Sequence, residues 1–388
     1  MKLSSVICLI YFISNTVYAE TDISGFIKLN YLNYQSKFDS ETNNEIFQVN
    51  RVSILSPIND NITLEGSYQV IQIYSNINSS EVLRNYDNQK RVYRIDDFNS
   101  TVIKKNDNYY LNHNFDRATV TWNGDTSSVV FGRQQLAFGS AKTVNPTDIF
   151  TPFSFTAIDT EVRNGVDAFR FRHQLGEMGQ YDVGVVLGEN ADRKNSAAYG
   201  LIKFSVDKYE IKPMVAVFQE AHMVGLDLET SLLGASIWFE NAWVDPKNES
   251  GYFRSVLGGE RQITPDTSMF IEYHYNGAGE TSPSEYYNLQ NNFAYQKGGV
   301  FLLGKNYLNA GSSIQITPLH RLDSIIMTNF DDKSLFLNLS WEWNAKENFY
   351  FNLGSFITLG KTSDNTQILE SEFGSVPSTI FTRIRYYF

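Results

Sequence analysis

Basic residues that alternate with apolar residues occur in two stretches of the chain and could bind anions. Arg170 and Arg172 are separated by one residue, as are Arg383 and Arg385, and the residues next to them are aromatic or aliphatic. Successive side chains of a β-strand point to opposite faces, so each pair would share one face. Guanidinium groups bind carboxylates and phosphates through paired hydrogen bonds. If these segments are strands, the spacing predicts a surface that attracts anionic groups.

The elements that would position these pairs are strands, because apolar and polar residues alternate with a period of two over much of the chain. The runs at 62–70, 269–275, 335–343 and 349–359 have this pattern. In the third run, one face carries Leu335, Leu337, Leu339, Trp341 and Trp343. Each run lasts about ten residues, the length of a tilted strand that crosses a membrane.

The composition agrees with a strand-rich chain. The 388 residues include 28 Phe, 23 Tyr and 5 Trp, but only 9 Pro. After the N-terminus, no stretch approaches the roughly 20 apolar residues that a membrane-spanning helix needs. The net charge of −11 argues against nucleic acid as a partner, because a general nucleic-acid binder needs a basic surface.

Short polar turns alternate along the chain with other connections, of which the longest are near 75–108, 137–164, 277–301 and 361–376. This pattern predicts an all-β fold, a transmembrane antiparallel β-barrel of 16–18 strands, with 18 favoured. The turns would be periplasmic, the long loops extracellular, and one loop would fold inward. A secreted propeller or β-helix is the alternative, but the repeat that such folds need is not apparent.

The N-terminus is typical of a secretory signal peptide. Lys2 precedes an apolar stretch at 6–13, and Val17 and Ala19 are small residues that suit cleavage after Ala19. We therefore expect residues 1–19 to direct Sec-type export and residues 20–388 to form one barrel in the outer membrane. The single cysteine, Cys8, would leave with the signal, so the mature chain would have no disulfide or cysteine metal ligand.

Residues opposite the apolar face of each strand would line the lumen of such a barrel. They predict a basic wall along the pore, since the last strand pairs with the first in a closed barrel. Its members are Lys28, Arg117, Arg133, Arg170, Arg172, Arg383 and Arg385. The alternation alone does not decide which face carries Arg133 or Arg51.

The candidate constriction loop is 137–164, because aromatic residues and Pro152 would let it pack as an ordered lining. Its charged residues are Lys142, Asp148, Asp159, Glu161 and Arg163. Acids of this loop that face the basic wall would create a transverse field across the pore. Two alternatives are that the loop covers the top of the barrel, and that the arginines only pair with nearby carboxylates.

The C-terminal segment 378–388 ends in Phe388 and places Ile380, Ile384, Tyr386 and Phe388 on one face. It resembles the last strand of Gram-negative outer-membrane proteins. This resemblance implies that Tyr386 and Phe388 belong to the signal that the barrel-assembly machinery recognises. Independently, both residues suit an aromatic belt at a membrane interface.

A second resemblance covers residues 131–139 (FGRQQLAFG), 145–148 (NPTD) and 163–170 (RNGVDAFR). These segments are similar to motifs in bacterial porins and porin-like proteins of the alginate-export type. The resemblance implies a strand that ends in Gly-Arg-Gln, a loop that folds inward and a following strand with basic residues. It identifies no solute.

We therefore expect a porin that allows passive diffusion of small polar, anionic or zwitterionic solutes. The alternatives are a structural or adhesive barrel with a closed lumen and, less favoured, an outer-membrane enzyme. The five histidines are scattered and lack HExxH spacing, so neither catalysis nor a metal or other cofactor is predicted. Expected partners are outer-membrane lipid, lipopolysaccharide and the assembly machinery, and the sequence is compatible with a monomer or a homotrimer.

Overall fold

The computed structural model describes residues 21–35, 37, 42–76, 93–96, 108–362 and 369–388. The predicted signal peptide lies outside these residues, as does most of the basic loop near 75–108. In the described part of the chain, no helix has the length and apolar character needed to cross a membrane.

Eighteen strands account for most of the described chain. The first nine are β1 (Asp22–Gln35), β2 (Thr42–Pro57), β3 (Ile62–Ser75), β4 (Tyr109–Asn123), β5 (Ser127–Gln134), β6 (Val166–Leu175), β7 (Gly179–Leu187), β8 (Ala197–Val206) and β9 (Tyr209–Phe218). The others are β10 (Ala221–Leu232), β11 (Ala235–Pro246), β12 (Tyr252–Thr264), β13 (Thr267–Asn276), β14 (Asn306–Thr317), β15 (His320–Asn329), β16 (Ser334–Lys346), β17 (Phe349–Leu359) and β18 (Thr379–Tyr387).

Short helices occur only in the connections of the described chain. Two are 3₁₀ helices, Glu189–Ala191 and Pro283–Asn291, and two are single α-helical turns, α1 (Phe293–Gln296) and α2 (Glu372–Ser375).

The strands form one closed antiparallel barrel, in which each strand pairs with its neighbours in sequence and β1 pairs with β18. This confirms the predicted fold class and the favoured count of 18. The run 222–229, uncertain from the sequence, lies within β10, and 297–317 contains one strand, β14, after a loop. At the seam, the amide of Gly25 donates to Phe388 O at 2.9 Å, and the amide of Phe388 donates to Gly25 O at 3.1 Å. Both described ends of the chain therefore lie at the same end of the barrel.

Eight short turns join strands at the end that contains Gly25 and Phe388, and we call this the turn end. The longer connections leave the opposite end, the loop end. One predicted turn, at 229–231, is misplaced because β10 continues to Leu232. Leu233 and Gly234 make the turn instead, with φ of 52° and 76°.

The two faces of the wall differ as the alternation predicts. Large apolar side chains are exposed on the outer surface, as at Phe169 and Val224, which are 48% and 59% exposed. Part of the inner surface is covered by connections that fold into the lumen, and its apolar contacts form three clusters. One includes Leu136 and Phe138, the second includes Phe336 and Phe373, and the third includes Ile73 and Tyr110.

The β1–β18 seam leaves no room for a side chain at position 25, and this can be tested. A Cβ atom there would lie 2.3 Å from Arg51 O and 2.7 Å from the Phe388 ring, whereas one at Gly66, also in a strand, would meet nothing within 4 Å. We expect Gly25→Ala to destabilise the barrel by about 1–3 kcal/mol, a typical cost of overpacking. The temperature at which the folded band is lost on semi-native electrophoresis measures this. Gly66→Ala is the control, and equal behaviour of the two variants would contradict the role of Gly25.

Candidate functional site

The connection 135–165 between β5 and β6 crosses the lumen, and we call it the inward loop. Near its start, the Phe138 and Phe150 rings pack against Tyr199 of β8 at centroid distances of 5.0 and 5.7 Å. Further along, the Phe155 ring packs edge-on against Phe336 of β16 at 5.2 Å. The loop is thus attached to opposite sides of the barrel by aromatic contacts, and it lines the interior as the sequence predicts.

Carboxylates of the wall hold the first part of the inward loop. We call Asp227 (β10), Glu240 (β11) and Glu272 (β13) the acidic wall. Glu240 is fully buried and accepts hydrogen bonds from the Thr147 amide and hydroxyl, both at 2.7 Å, and from the Ser140 amide at 3.2 Å. Because a carboxyl group has two oxygens, it can satisfy several loop donors at once.

Glu272 and Asp227 extend this arrangement along the same part of the wall. Glu272 accepts from the amides of Lys142 at 2.5 Å and Thr143 at 3.1 Å, and from the Trp238 indole at 3.0 Å. Asp227 accepts from the hydroxyl of Ser140 at 2.5 Å. The acidic wall was not predicted, although Glu240 and Glu272 interrupt apolar strands at inward positions and could have been noted for that reason.

Cations of β1 and β18 hold the last part of the inward loop. Lys28 Nζ lies 2.8 Å from Asp159 Oδ2 and 2.8 Å from Glu161 Oε2. Arg383 lies 3.7 Å from Asp159, and Arg385 lies 3.5 Å from Glu161. The expectation that these loop acids face the basic wall across the pore is therefore wrong, because they touch it. The acids on the opposite side belong to the acidic wall.

The remaining charged residues of the inward loop also have partners. Asp148 is buried and pairs with Arg163, and burial raises the pKa of the Asp148 carboxyl above its usual range. Lys142 pairs with Glu260 of β12 at 2.7 Å. None of the five predicted constriction residues is thus an unpaired charge.

Arg117 belongs to a cluster around Asp116. Asp116 Oδ2 lies 2.7 Å from both Arg51 and Arg117, and Arg94 lies 3.4 Å from Oδ1. The register of β3 and β4 shifts between Ser67 and Tyr68, and consequently Asp116 and Arg117 are both buried although they are adjacent. Arg51, ambiguous from the sequence, also points inward here.

Arg133 holds strands together at the loop end. Its side chain is 4% exposed, and it follows Gly132, whose φ is 114°. Arg133 Nε donates to Asp167 at 2.7 Å, and its guanidinium donates to Asn114 Oδ1 at 3.1 Å and to Phe115 O at 2.9 Å. Asn114 is buried and lies in the same row as the inward Arg51. The guanidinium therefore reaches the inner side of the wall, where it is paired and is not a free cation.

Arg170 and Arg172 share the inner face of β6, as their spacing predicts, but their surroundings differ. Arg170 Nε donates to Asp182 of β7 at 3.0 Å. Arg172 has no ion pair with the described residues. It lines a cavity of about 570 Å³ at the turn end, together with Gln174, Gln180, Lys203 and Glu210. The open part of the described lumen therefore contains a free guanidinium.

Tyr386 and Phe388 of the predicted assembly signal lie on the outer surface. They are 45% and 48% exposed, and their rings stack at 6.2 Å. An outward aromatic pair at the turn end suits a membrane interface.

Helix α2 closes part of the loop end through one buried carboxyl group. Glu372 accepts from the Leu303 amide at 2.9 Å, from the Tyr307 hydroxyl at 2.5 Å and from Asn329 Nδ2 at 2.8 Å. Burial raises its pKa to about 7, and the nearby charge of Asp332 acts in the same direction. Glu372 therefore joins three loop-end segments and titrates near neutral pH.

A histidine and a serine are in contact on the outer face, and such a pair is relevant to the alternative of an outer-membrane enzyme. Ser127 Oγ lies 2.7 Å from His173 Nδ1, and the His173 ring lies against Tyr181 at 5.1 Å. No carboxylate hydrogen-bonds to this imidazole in the part of the chain that the structure describes. Within the same residues, no group of three or more His, Cys, Asp or Glu side chains could hold a metal ion.

The fold resembles those of solved bacterial channels. OccAB4 of Acinetobacter baumannii superposes with a TM-score of 0.60 at 10% identity, covering 95% of this chain and 98% of that one. OccAB2 of the same organism gives 0.60 at 6% identity, covering 96% and 99%. OccK5 (OpdH) of Pseudomonas aeruginosa gives 0.56 at 8% identity, covering 95% and 98%. No protein-family model and no curated protein matches the sequence. The chain thus has the fold of a porin-like barrel.

The attachment of the inward loop to Glu240 can be tested by hydrogen exchange. In Glu240→Gln, the new side-chain amide has one acceptor oxygen instead of two. Its NH₂ group faces the hydrogen-bond donors of the loop and cannot accept from them. We expect the amides of Ser140 and Thr147 to exchange at least about tenfold faster, since a buried donor that loses its hydrogen-bond partner costs about 1–3 kcal/mol. Glu260→Gln is the matched control, because its partly exposed pair with Lys142 contributes little. Unchanged protection in Glu240→Gln would contradict the attachment.

The titration of Glu372 predicts a pH-dependent loop end. A pKa raised from 4.5 to about 7 means that the folded protein binds this proton more tightly than the unfolded chain does. The contribution of Glu372 is then fully present below pH 4.5 and is lost as the pH rises through about 7. Protection of the Leu303 amide, corrected for the intrinsic exchange rate, should be lower at pH 8 than at pH 5.

Glu372→Gln should remove this pH dependence, and the amide of Ala310, in the middle of β14, provides the internal reference. A pH dependence that persists in the variant would assign the titration to another group.

Proposed function

We propose that the protein is an outer-membrane channel for the passive diffusion of small polar solutes, anionic or zwitterionic in character. The solved structures with a similar fold are outer-membrane porins. An outer surface of exposed apolar side chains with an aromatic pair at the turn end supports placement in a bilayer. On this proposal, residues 1–19 direct export, residues 20–388 form one barrel, and Tyr386 and Phe388 act in assembly.

The arrangement of charge across the lumen supports the solute class. Cations of β1, β2, β4, β6 and β18 lie along one side, and carboxylates of β10, β11 and β13 lie on the other, together with two inward cations, Lys212 of β9 and Arg254 of β12. A field between two such walls aligns a dipolar solute, as charged constrictions do in other channels. Most of these charges are already paired with the inward loop or with each other, so the field comes from fixed pairs and from the few free groups.

The observation that carries the anionic preference is Arg172. It faces the cavity of about 570 Å³ without an ion pair to the described residues, whereas Lys203 on the same lining is paired with Glu210 at 2.6 Å. A solute that enters this cavity meets a guanidinium group, which binds carboxylates and phosphates through paired hydrogen bonds. The side chains of Gln174 and Gln180 add hydrogen-bonding groups for polar, uncharged parts of the solute.

An open lumen can be separated from a closed one by liposome swelling. We expect proteoliposomes in isotonic solutions of a small amino acid to swell faster than protein-free liposomes, and more slowly with larger sugars. The inward loop and α2 fill part of the lumen, which is the observation that favours a closed structural barrel. A swelling rate equal to that of empty liposomes, from correctly folded protein, would favour that alternative.

Ion selectivity tests the role of Arg172. Replacing it with glutamine removes one positive charge, whose interaction with a permeating ion about 8 Å away in water is about 0.5 kcal/mol. We expect Arg172→Gln to lower the anion-to-cation permeability ratio about fivefold, because the charge attracts an anion and repels a cation by this amount each. The measurement is the reversal potential of single channels in a tenfold salt gradient.

The matched control removes a neutral pair instead of a charge. Arg170→Gln combined with Asp182→Asn deletes both partners of one ion pair, so the net charge stays the same and the reversal potential should barely change. Cation preference of the unmodified channel, or no shift in Arg172→Gln, would refute the anionic preference.

A further inference from the structure

Four polar side chains form a group on the outer surface of β2, β3 and β4. They are Gln48, Asn50, Gln72 and His113, and we call them the polar patch. Gln48 pairs directly with Gln72 across β2 and β3, and Asn50 and His113 both pair with Val70 in the next row. Their neighbours in these rows on β1 are Leu29 and Ile27, which are exposed on the outer surface.

The polar patch lies between apolar rows at both ends. Towards the loop end, the next row contains Tyr31, Ile46 and Tyr74, all exposed. Towards the turn end, the next row contains Val52, Tyr68 and Phe115, also exposed. The patch therefore falls within the apolar band of the barrel and not at its rim.

Hydrogen bonds within the surface satisfy only part of the patch. Gln48 Nε2 donates to Asn50 Oδ1 at 2.8 Å, the Tyr68 hydroxyl bonds to His113 Nδ1 at 2.7 Å, and Tyr109 donates to Gln72 Oε1 at 3.4 Å. Four groups have no hydrogen bond to a described residue. They are the Oε1 of Gln48, the Nδ2 of Asn50, the Nε2 of Gln72 and the Nε2 of His113.

Lipid tails offer these groups neither donors nor acceptors. An amide without a hydrogen bond in an apolar medium costs several kcal/mol, and unpaired polar groups in a bilayer are therefore satisfied by protein. Side-chain amides are among the groups that hold membrane segments together. The patch presents both donors and an acceptor, so an identical patch would complement it.

We propose that the polar patch is the contact surface for a second copy of this chain, related by a two-fold axis that runs parallel to the barrel axis between β2 and β3. This proposal rests on the proposed placement of the barrel in a membrane. Two copies inserted in the same direction keep each residue at the same depth as its counterpart. Across such an axis, Gln72 of one copy faces Gln48 of the other, twice.

This geometry pairs the groups that are free within one copy. The Nε2 of Gln72 is a free donor and the Oε1 of Gln48 is a free acceptor, and they lie in one row. Asn50 of one copy faces the Val70 row of the other, where His113 also lies. A two-fold contact uses the same patch on both copies, as the single patch requires, whereas a ring of three needs two different complementary surfaces.

The first experiment measures the mass of the protein in mild detergent by light scattering after size exclusion. We expect two copies for the unmodified chain, and an association constant about tenfold or more weaker for Gln48→Leu combined with Gln72→Leu, which removes the two amide contacts. Asn241→Leu is the matched control. Asn241 is also an outward amide, on β11, but it bonds to Ser255 of its own barrel, so the dimer should persist.

The second experiment tests the two-fold geometry in the membrane. Chains with Gln48→Cys and chains with Gln72→Cys are expressed together and treated with a short bifunctional maleimide. We expect a cross-linked dimer at a much higher yield than from either chain alone, because each position faces the other.

Three outcomes would overturn the proposal. They are a mass of one copy, a mass of three copies, and equal cross-linking yield when each single-cysteine chain is expressed alone. A one-copy mass with a retained lipid or a different protein would assign the patch to that occupant.

The tests do not depend on transport, because the patch lies outside the lumen. Failure of the liposome assay with an intact dimer would refute the channel function alone, and loss of the barrel from the outer-membrane fraction would refute the membrane placement.

Discussion

The interior of the barrel depends on one constraint, which is that the inward loop must find partners for its polar groups inside a closed wall. Buried backbone amides need acceptors, and Glu240 and Glu272 provide them for residues 140–147. The buried ammonium group of Lys28 needs anions, and Asp159 and Glu161 of the loop provide them. The loop is fixed because the two sides of the wall carry opposite charges.

The pairing of wall charges with the inward loop determines which charges a solute can meet. A cation paired with the loop contributes a screened dipole, while a free cation contributes its full charge in the open cavity. Arg383 and Arg385 hold the loop, and Arg170 holds Asp182. Arg172 is left facing the space where a solute has room. The net charge of −11 therefore says little about selectivity, which depends on pairing.

The sequence predicts the barrel well because the period of two follows directly from strand geometry and the connections are easy to recognise. It predicts the sides of individual residues less well, because one register shift reverses every later assignment along a strand. Asp116 and Arg117 are adjacent and both buried because β4 is shifted against β3. The partners of the inward loop could not be predicted either, since Lys28 and Asp159 are 131 residues apart.

In strand β2, the alternation of residues does not produce one polar and one apolar face, and this exception is informative. Arg51 and Val49 point inward, and Gln48 and Asn50 point outward, so polar residues occupy both faces of one strand. A strand in contact with lipid is expected to have one apolar face, and a strand that lines water one polar face. Polar residues on both faces therefore indicate that both faces meet protein or water. On the inner face of β2, Arg51 meets Asp116, and on the outer face the same reasoning is the basis of the proposed contact through Gln48 and Gln72.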